Sequence, residues 1–249
     1  MFWKTPFLPF CVAAVVVMTR AACAAGLTVL APASAQPGIT AVAKDYTAKT
    51  GVAVTVSGGA RDKVMAALKA GEGDVVVLPS TDFADLPMVV GMTPLGHIAI
   101  GVAVKAGARA PDISTPQKFA AALKRAKGVA YADPSAGTSA GKIIANLLSL
   151  PEFKAVKKVP VKGLAVTGIT SGQADMALQL LPELAQNRDV KLLGPVPGLY
   201  AASVDFAAGI TTATNDSVHA ESFIEAMTAP AAIAAWKANG MTSLAMPAP

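Results

Sequence analysis

The chain has few cysteines, histidines and aromatic residues for its 249 residues, and each scarcity removes a class of function. Its two cysteines, Cys11 and Cys23, both lie within residues 1–25. Without that segment the chain has no disulfide, no thiolate metal site and no cysteine nucleophile. The two histidines, His97 and His219, stand without acidic residues at ligand spacing, so the sequence predicts no metal site and no cofactor.

Charged residues are also scarce, at 15% of the chain. The formal net charge of +5 falls to +3 if residues 1–25 are removed, because that segment contains Lys4 and Arg20 and no acidic residue. The remaining basic residues are scattered and are not interleaved with aromatic side chains. We therefore expect no nucleic-acid partner.

Residues 1–25 have the layout of a secretory signal peptide. Lys4 supplies a positive start, residues 7–18 are almost wholly apolar, and small residues follow up to Ala25. We expect cleavage after Ala24 or Ala25. The mature protein is then expected in the periplasm, without a membrane anchor.

Two other interpretations of this segment are disfavoured by its sequence. A membrane anchor is disfavoured because the apolar run is too short to span a bilayer. A lipid attached to Cys23 is disfavoured because Arg20 stands three positions earlier, where lipoprotein signals carry an aliphatic residue. Both readings predict a membrane-attached protein, in contrast to a freely diffusing one.

Apolar segments alternate with helical patterns along the first third of the chain. After a short apolar run at 27–31, the pattern predicts a helix, a strand, a second helix and a buried strand, at 39–49, 52–56, 61–70 and 74–78. This alternation is typical of a parallel sheet covered by helices.

A second unit of the same kind is expected over about residues 106–190. Two long extended stretches, 96–105 and 193–206, connect it to the first unit, and a helical region that begins at Asn215 or Asp216 closes the chain. We therefore predict an α/β clamshell with one lobe of residues 26–100 and 205–249 and a second of residues 101–204, joined by hinge crossings. We expect the protein to be a monomer.

The segment from Tyr131 to Lys142 carries the clearest functional signal. It follows the apolar run 128–130, contains small and hydroxyl residues, and leads into the helical run 143–148. The first amides of a helix lack intrahelical partners and carry partial positive charge, so this loop predicts a site for a small anion. It does not match a phosphate-binding loop, because Ala136 and Ile143 replace the required glycine and hydroxyl residue.

Several motifs in a fixed order resemble one protein family. They are Leu27 to Ser34, Gly51 to Val54, Ser57-Gly58-Gly59, Ala70 to Val76, and the tail from Ala229 to Gly240. Together they resemble the periplasmic type II solute-binding proteins, and most of all the molybdate-binding-like group. The resemblance implies a two-lobed fold, an anion held between the lobes by hydroxyls and backbone amides, and an inner-membrane transporter as partner.

One loop departs from the pattern of molybdate binders. Where they are rich in serine, this chain reads Ser57-Gly58-Gly59-Ala60-Arg61. Arginine suits a planar carboxylate, which it holds by two parallel hydrogen bonds. A branch of the family is similar to aconitate isomerase, which interconverts trans- and cis-aconitate. The sequence therefore leaves two functions open, a binder of an oxyanion or carboxylate and an isomerase.

The candidate ligand-binding residues come from both predicted lobes: Ser34, Ser57, Gly58, Gly59, Arg61, Ser135, Gly137, Thr138, Ser139 and Gln179. Each has an ordinary alternative. Ser34 could simply cap a helix, Arg61 could be solvated, and Gln179 could tie down a loop. An isomerase would also need a base, and spacing does not choose among His97, Glu183, Asp133 and a hydroxyl.

Overall fold

The computed structural model describes residues 26–243. The predicted signal peptide, Cys11 and Cys23 lie outside these residues. Within the described part of the chain, no helix combines the length and the apolar character that a membrane crossing requires.

The first half of the molecule is built on parallel strands. The chain runs through β1 (Leu27–Pro32), α1 (Gln36–Thr50), β2 (Val54–Gly59), α2 (Arg61–Lys69) and β3 (Val75–Pro79). Both β2 and β3 pair in parallel with β1. The sheet continues from β3 to the antiparallel strand β9 (Ser203–Thr211).

The second half repeats this arrangement. It contains α3 (Pro116–Arg125), β5 (Val129–Ala132), α4 (Ser139–Leu148), β6 (Lys158–Val161), α5 (Val166–Thr170), β7 (Met176–Leu180), α6 (Leu181–Ala185) and β8 (Val190–Pro195). Both β6 and β7 pair in parallel with β5. Helices α7 (Ser217–Thr228) and α8 (Pro230–Ala238) and strand β10 (Met241–Ser243) return to the first half.

One long strand, β4 (Val89–Lys105), belongs to both halves. Its residues up to Ala99 pair with β9, and its residues from Ile100 pair with β7. The ten-stranded sheet therefore has the order β2-β1-β3-β9-β4-β7-β5-β6, with β8 and β10 also on β4. The predicted lobe boundaries remain a prediction. The boundary predicted between residues 100 and 101 lies next to Ala99 and Ile100, where β4 changes its pairing strand from β9 to β7.

The return path differs in detail from the predicted extended stretch 193–206. Strand β8 ends at Pro195, a 3₁₀ turn occupies Gly198–Tyr200, and β9 begins at Ser203. The backbone of Ile100 ties this path to β4, since its N–H donates to Ala202 O at 2.8 Å and its carbonyl accepts from Val196 N–H at 2.9 Å. Two prolines, Pro195 and Pro197, lack N–H donors and so prevent an unbroken ladder here.

Short-range signals explain where several helices begin and end. The hydroxyl of Thr115 accepts a hydrogen bond from Lys118 N–H and caps α3, and the carboxylate of Asp216 accepts from His219 N–H and caps α7. Helix α1 ends at Gly51, whose φ of 77° is the left-handed conformation that glycine adopts without strain. The ends of α1 and the start of α7 lie within about one turn of the predicted limits.

Helix α8 anchors the end of the chain to the first half through Trp236. This side chain is fully buried, and its Nε1–H donates to Met227 O at 2.8 Å. Helix α1 approaches it through Gly38, where a Cβ atom would lie 2.3 Å from the indole ring. The contact requires a residue without a side chain on α1, so the two helices are packed to fit each other.

We expect Trp236→Ala to lower the free energy of unfolding by about 3–5 kcal/mol, because the change leaves a large cavity between α1 and α8. Urea unfolding followed by circular dichroism measures the effect. The matched control is Ile233→Ala on the same helix, where the side chain is 40% exposed, and it should shift stability by less than about 1 kcal/mol. Equal unfolding midpoints for the two variants would contradict this packing.

Candidate functional site

A mainly apolar cavity with converging polar groups lies between the two halves and has a volume of about 330 Å³. The carboxyl ends of parallel strands open onto it from both sides. Pro32, Gly59 and Pro79 end strands of the first half, and Ala132 and Leu180 end strands of the second. In open α/β sheets, ligands bind outside the carboxyl ends of the strands, so this is the candidate site.

Three helices begin at the cavity. Ser34 lies just before α1, Ala60 just before α2, and Thr138 just before α4, and all three line the cavity. Helices α1 and α2 start without any side-chain cap, whereas the Thr138 hydroxyl accepts from Gly141 N–H. First-turn N–H groups therefore remain without a protein partner and point partial positive charge toward the cavity.

The hydroxyl of Ser34 is the clearest unpartnered group at the site. The residue is only 3% exposed, and among residues 26–243 its side chain forms no hydrogen bond. No fully enclosed side-chain oxygen or nitrogen of the described residues lacks a partner. The Ser34 hydroxyl must therefore open onto the cavity, where a ligand can satisfy it.

The remaining walls are mainly apolar. Besides the strand ends, they are formed by Ala33, Ala140, Ile144, Leu164, Val204 and Phe206. Apolar walls offer no hydrogen bonds, so a charged group placed against them would lose its hydration without replacement. The cavity thus combines a polar end, at the helix starts, with an apolar body.

Arg61 reaches the cavity but is already engaged. Its Nε–H donates to Asp82 Oδ2 at 2.8 Å, and the Asp82 side chain is 8% exposed. This hydrogen bond raises the pKa of the Arg61 guanidinium, so it stays protonated. Its charge is largely balanced by Asp82, and only its terminal N–H groups are available to a ligand.

A hydroxyl pair closes the cleft next to Arg61. Thr81 Oγ1 of the first half and Ser139 Oγ of the second are 3.1 Å apart. Beyond this contact lies a second, more polar pocket of about 390 Å³, which Arg61 and Ser139 also line together with Lys142. The two halves are thus in contact through this hydroxyl pair. The cavity of about 330 Å³ lies behind the pair and is called the inner cavity, and the more polar pocket is called the outer pocket.

Gln179 and Glu183 form a linked pair in the wall of the second half. Gln179 is buried, and its Oε1 accepts from the buried Ala165 N–H at 2.7 Å. Its Nε2 donates to Glu183 Oε2 at 2.5 Å. Burial raises the pKa of the Glu183 carboxyl, and the hydrogen bond from Gln179 opposes this only in part. Gln179 therefore ties down a loop and lines the cavity at the same time.

The structure brings six of the ten predicted ligand residues to the inner cavity: Ser34, Gly59, Arg61, Thr138, Ser139 and Gln179. The other four do not line it. Ser57 is exposed on the edge strand β2, and Ser135 is exposed in the turn before α4. Gly137 lines the outer pocket. Gly58 faces the protein, because a Cβ there would lie 2.5 Å from Ala31 O.

The candidate bases differ in whether they line the inner cavity. Glu183 lines the inner cavity, whereas His97 and Asp133 do not. Asp133 caps the turn after β5 by accepting from Ser135 N–H at 2.8 Å. Sequence reasoning missed Thr81 and Asp82, since nothing in the sequence marked the short 3₁₀ segment Ser80–Asp85 as part of the site.

Comparison with known proteins identifies sequences and structures that are similar to this chain. The sequence profile described as bacterial extracellular solute-binding protein matches residues 27–242. Aconitate isomerase from a Pseudomonas species is 30% identical over 105 residues, which cover 41% of this chain. The matched segment spans only 40% of that enzyme's length.

Two solved structures show the same fold. The periplasmic molybdate-binding protein of Azotobacter vinelandii has a TM-score of 0.63 and 22% identity, covering 89% of this chain and 100% of that one. L-phospholactate-bound PEB3, from Campylobacter jejuni, has a TM-score of 0.64 and 16% identity, covering 87% and 99%. The predicted two-lobed α/β fold of the type II periplasmic binding proteins is thereby confirmed.

We expect Gln179→Leu to lower the free energy of unfolding by about 1–3 kcal/mol, because the buried Ala165 N–H loses its acceptor. The matched control is Gln173→Leu, an exposed position in the same half, which should change stability by less than about 0.5 kcal/mol. Denaturant unfolding measures both. If the two variants lost equal stability, the Gln179 amide would not hold the Ala165 loop in place.

Proposed function

The chain belongs to the bacterial extracellular solute-binding protein family, and from this we propose that it binds a small organic carboxylate in the inner cavity. We further propose that it delivers the ligand to an inner-membrane transporter. A periplasmic location follows if residues 1–25 are removed as a signal peptide. Lobes of residues 26–100 with 205–249 and of residues 101–204 would then close on the ligand about the crossings at Ile100.

The convergence of three helix starts on one cavity is the observation that carries this proposal. Helices α1 and α2 have no side-chain cap, and the nearby Ser34 hydroxyl has no partner among the described residues. A bound anion would satisfy these donors and interact favourably with the helix dipoles. A neutral ligand would gain less from the same groups.

The walls favour a carboxylate over a tetrahedral oxyanion. Oxyanions such as molybdate present charge on every face and need donors all around them, but most of this cavity is lined by aliphatic carbon and Phe206. A carboxylate carries its charge at one end and leaves an apolar body for such walls. The related structures are named for molybdate and for L-phospholactate, so both kinds of anion occur on this fold.

Arg61 contributes to the preference for a carboxylate only through its terminal N–H groups. Its terminal N–H groups can donate to a carboxylate, while Asp82 holds its Nε–H and balances its charge. The site therefore offers directed hydrogen bonds with little excess positive charge. This combination suits a ligand that places a carboxylate at the polar end better than an oxyanion that needs donors on every face.

We expect the purified protein to bind trans-aconitate or a smaller carboxylate more tightly than molybdate in calorimetry. Ser34→Ala should weaken carboxylate binding about tenfold, as expected for one lost hydrogen bond to a charged group. Its stability should stay the same or rise, because the hydroxyl has no protein partner. The control is Ser149→Ala, at the far end of α4. Tighter binding of molybdate than of every carboxylate tested would overturn the proposal.

A second function, isomerisation of aconitate, is favoured by one specific observation. Glu183 lines the cavity with a carboxyl whose pKa is raised by burial, which is the kind of group that can remove and return a proton. The partial match to aconitate isomerase points the same way. Helix starts would stabilise the negative charge that develops when a proton leaves carbon next to a carboxylate.

This second function predicts that the protein converts trans-aconitate to cis-aconitate, which chromatography of the incubated mixture detects. Glu183→Gln should then lower turnover by about 10²-fold or more, the usual contribution of a general base, with binding retained. The matched control is Glu221→Gln on the exposed surface of α7. Binding of trans-aconitate without any turnover would leave the transport function standing and remove the enzyme.

A further inference from the structure

Among residues 26–243, Glu183 is the single acidic residue that lines the inner cavity, and Arg61 is the single basic one. Arg61 already pairs with Asp82, and no ion pair in residues 26–243 involves Glu183. An ionised Glu183 would therefore share a small, mainly apolar space with the incoming anion and with no cation of its own. Two like charges in such a space repel each other strongly.

The geometry of the Gln179 side chain fixes how Glu183 is bonded. Because Ala165 N–H is a donor, the Gln179 atom 2.7 Å from it must be the acceptor Oε1. The NH₂ group then faces Glu183 and donates to its Oε2. Glu183 Oε1 has no hydrogen bond within the described residues, so this oxygen remains for a proton and for a ligand.

We propose that Glu183 carries a proton in the ligand complex and donates it in a hydrogen bond from Oε1 to an oxygen of the bound anion. One proton is then taken up with each anion whenever Glu183 is ionised in the free protein. This inference rests on the proposed binding function, since it requires an anion in the inner cavity. It stands against the second function, in which Glu183 must be unprotonated beside the bound ligand in order to remove a proton. It adds a determinant of specificity, because a ligand must present an acceptor to this carboxyl.

The surroundings of Glu183 agree with this assignment. Helix α6 packs on β4, β7 and β8. The ionisable side chains of those strands are His97 and Lys105 on β4 and Lys191 on β8; both lysines are exposed, and none pairs with Glu183. Burial raises the pKa of the Glu183 carboxyl, in the direction that favours the neutral form.

Two pH dependences follow. Above the pKa of Glu183 in the free protein, anion affinity should fall about tenfold per pH unit, since one proton must be bound. The free energy of unfolding should also fall as pH rises. An acid whose pKa is raised on folding binds more protons in the folded state, so its contribution is fully present below the unfolded pKa and is lost as pH rises through the folded pKa.

The test is calorimetry of trans-aconitate binding between pH 5.5 and 8.5, in pairs of buffers with different ionisation enthalpies. The wild type should take up about one proton at the upper end of this range. Glu183→Gln should take up none and bind independently of pH, because its amide is neutral and can still donate. Glu183→Ala should bind weakly at every pH, and Glu221→Gln should behave as the wild type.

Thermal unfolding without ligand supplies a second readout. Glu183→Gln should become more stable than the wild type as pH rises, with the difference in Tm levelling off above the pKa of Glu183. A difference that is independent of pH would show that Glu183 is ionised throughout and would overturn the inference. So would pH-independent binding by the wild type at pH values where the difference in Tm has levelled off, with the carboxylate function intact. Failure of every carboxylate to bind at any pH would instead overturn the proposed function and this inference with it.

Discussion

The unsatisfied N–H groups at the starts of α1, α2 and α4 are the constraint on which the site depends. Each helix must begin with donors that have no partner in the helix, and each begins beside a cavity enclosed by two halves of the molecule. The parallel order of β1, β2 and β3 and of β5, β6 and β7 places these starts at facing sheet edges. The fold therefore creates the candidate anion site as a consequence of its topology.

The side chains around these helix starts lower the net positive charge of the cavity and fix the orientation of its hydrogen-bonding groups. Asp82 balances Arg61, and Gln179 holds Glu183 where its second oxygen has no bond among the described residues. The cavity consequently has donors aimed at one end and little net positive charge. Such a site discriminates by where a ligand places its oxygens, because an unpaired polar group on either side costs about as much as a lost hydrogen bond.

Ser34 and Ser57 show which part of the candidate site the sequence could predict. Both serines follow predicted strands, and both were expected at the ligand. Ser34 lies inside the cavity, whereas Ser57 lies two residues short of the end of an edge strand and is exposed. A shift of two residues along β2 separates the strand interior from the loop, and sequence patterns do not locate strand ends that closely. The sequence predicts that Gln179 either reaches the ligand or ties down a loop, but it does not identify the loop, because the bonded Ala165 lies 14 residues away.

Sequence by itself determined the alternation of strands and helices and the start of α7 at its capping residue, and it marked the loop before α4 as a candidate anion site. These are local properties, set by periodicity, by side-chain caps and by the donors that every helix start exposes. Only the tertiary structure decided that Asp82 engages Arg61, that Thr81 meets Ser139 across the cleft, and that Glu183 shares the cavity with Ser34. Those contacts join residues far apart in the chain, so they exist only after the two halves have closed on one another.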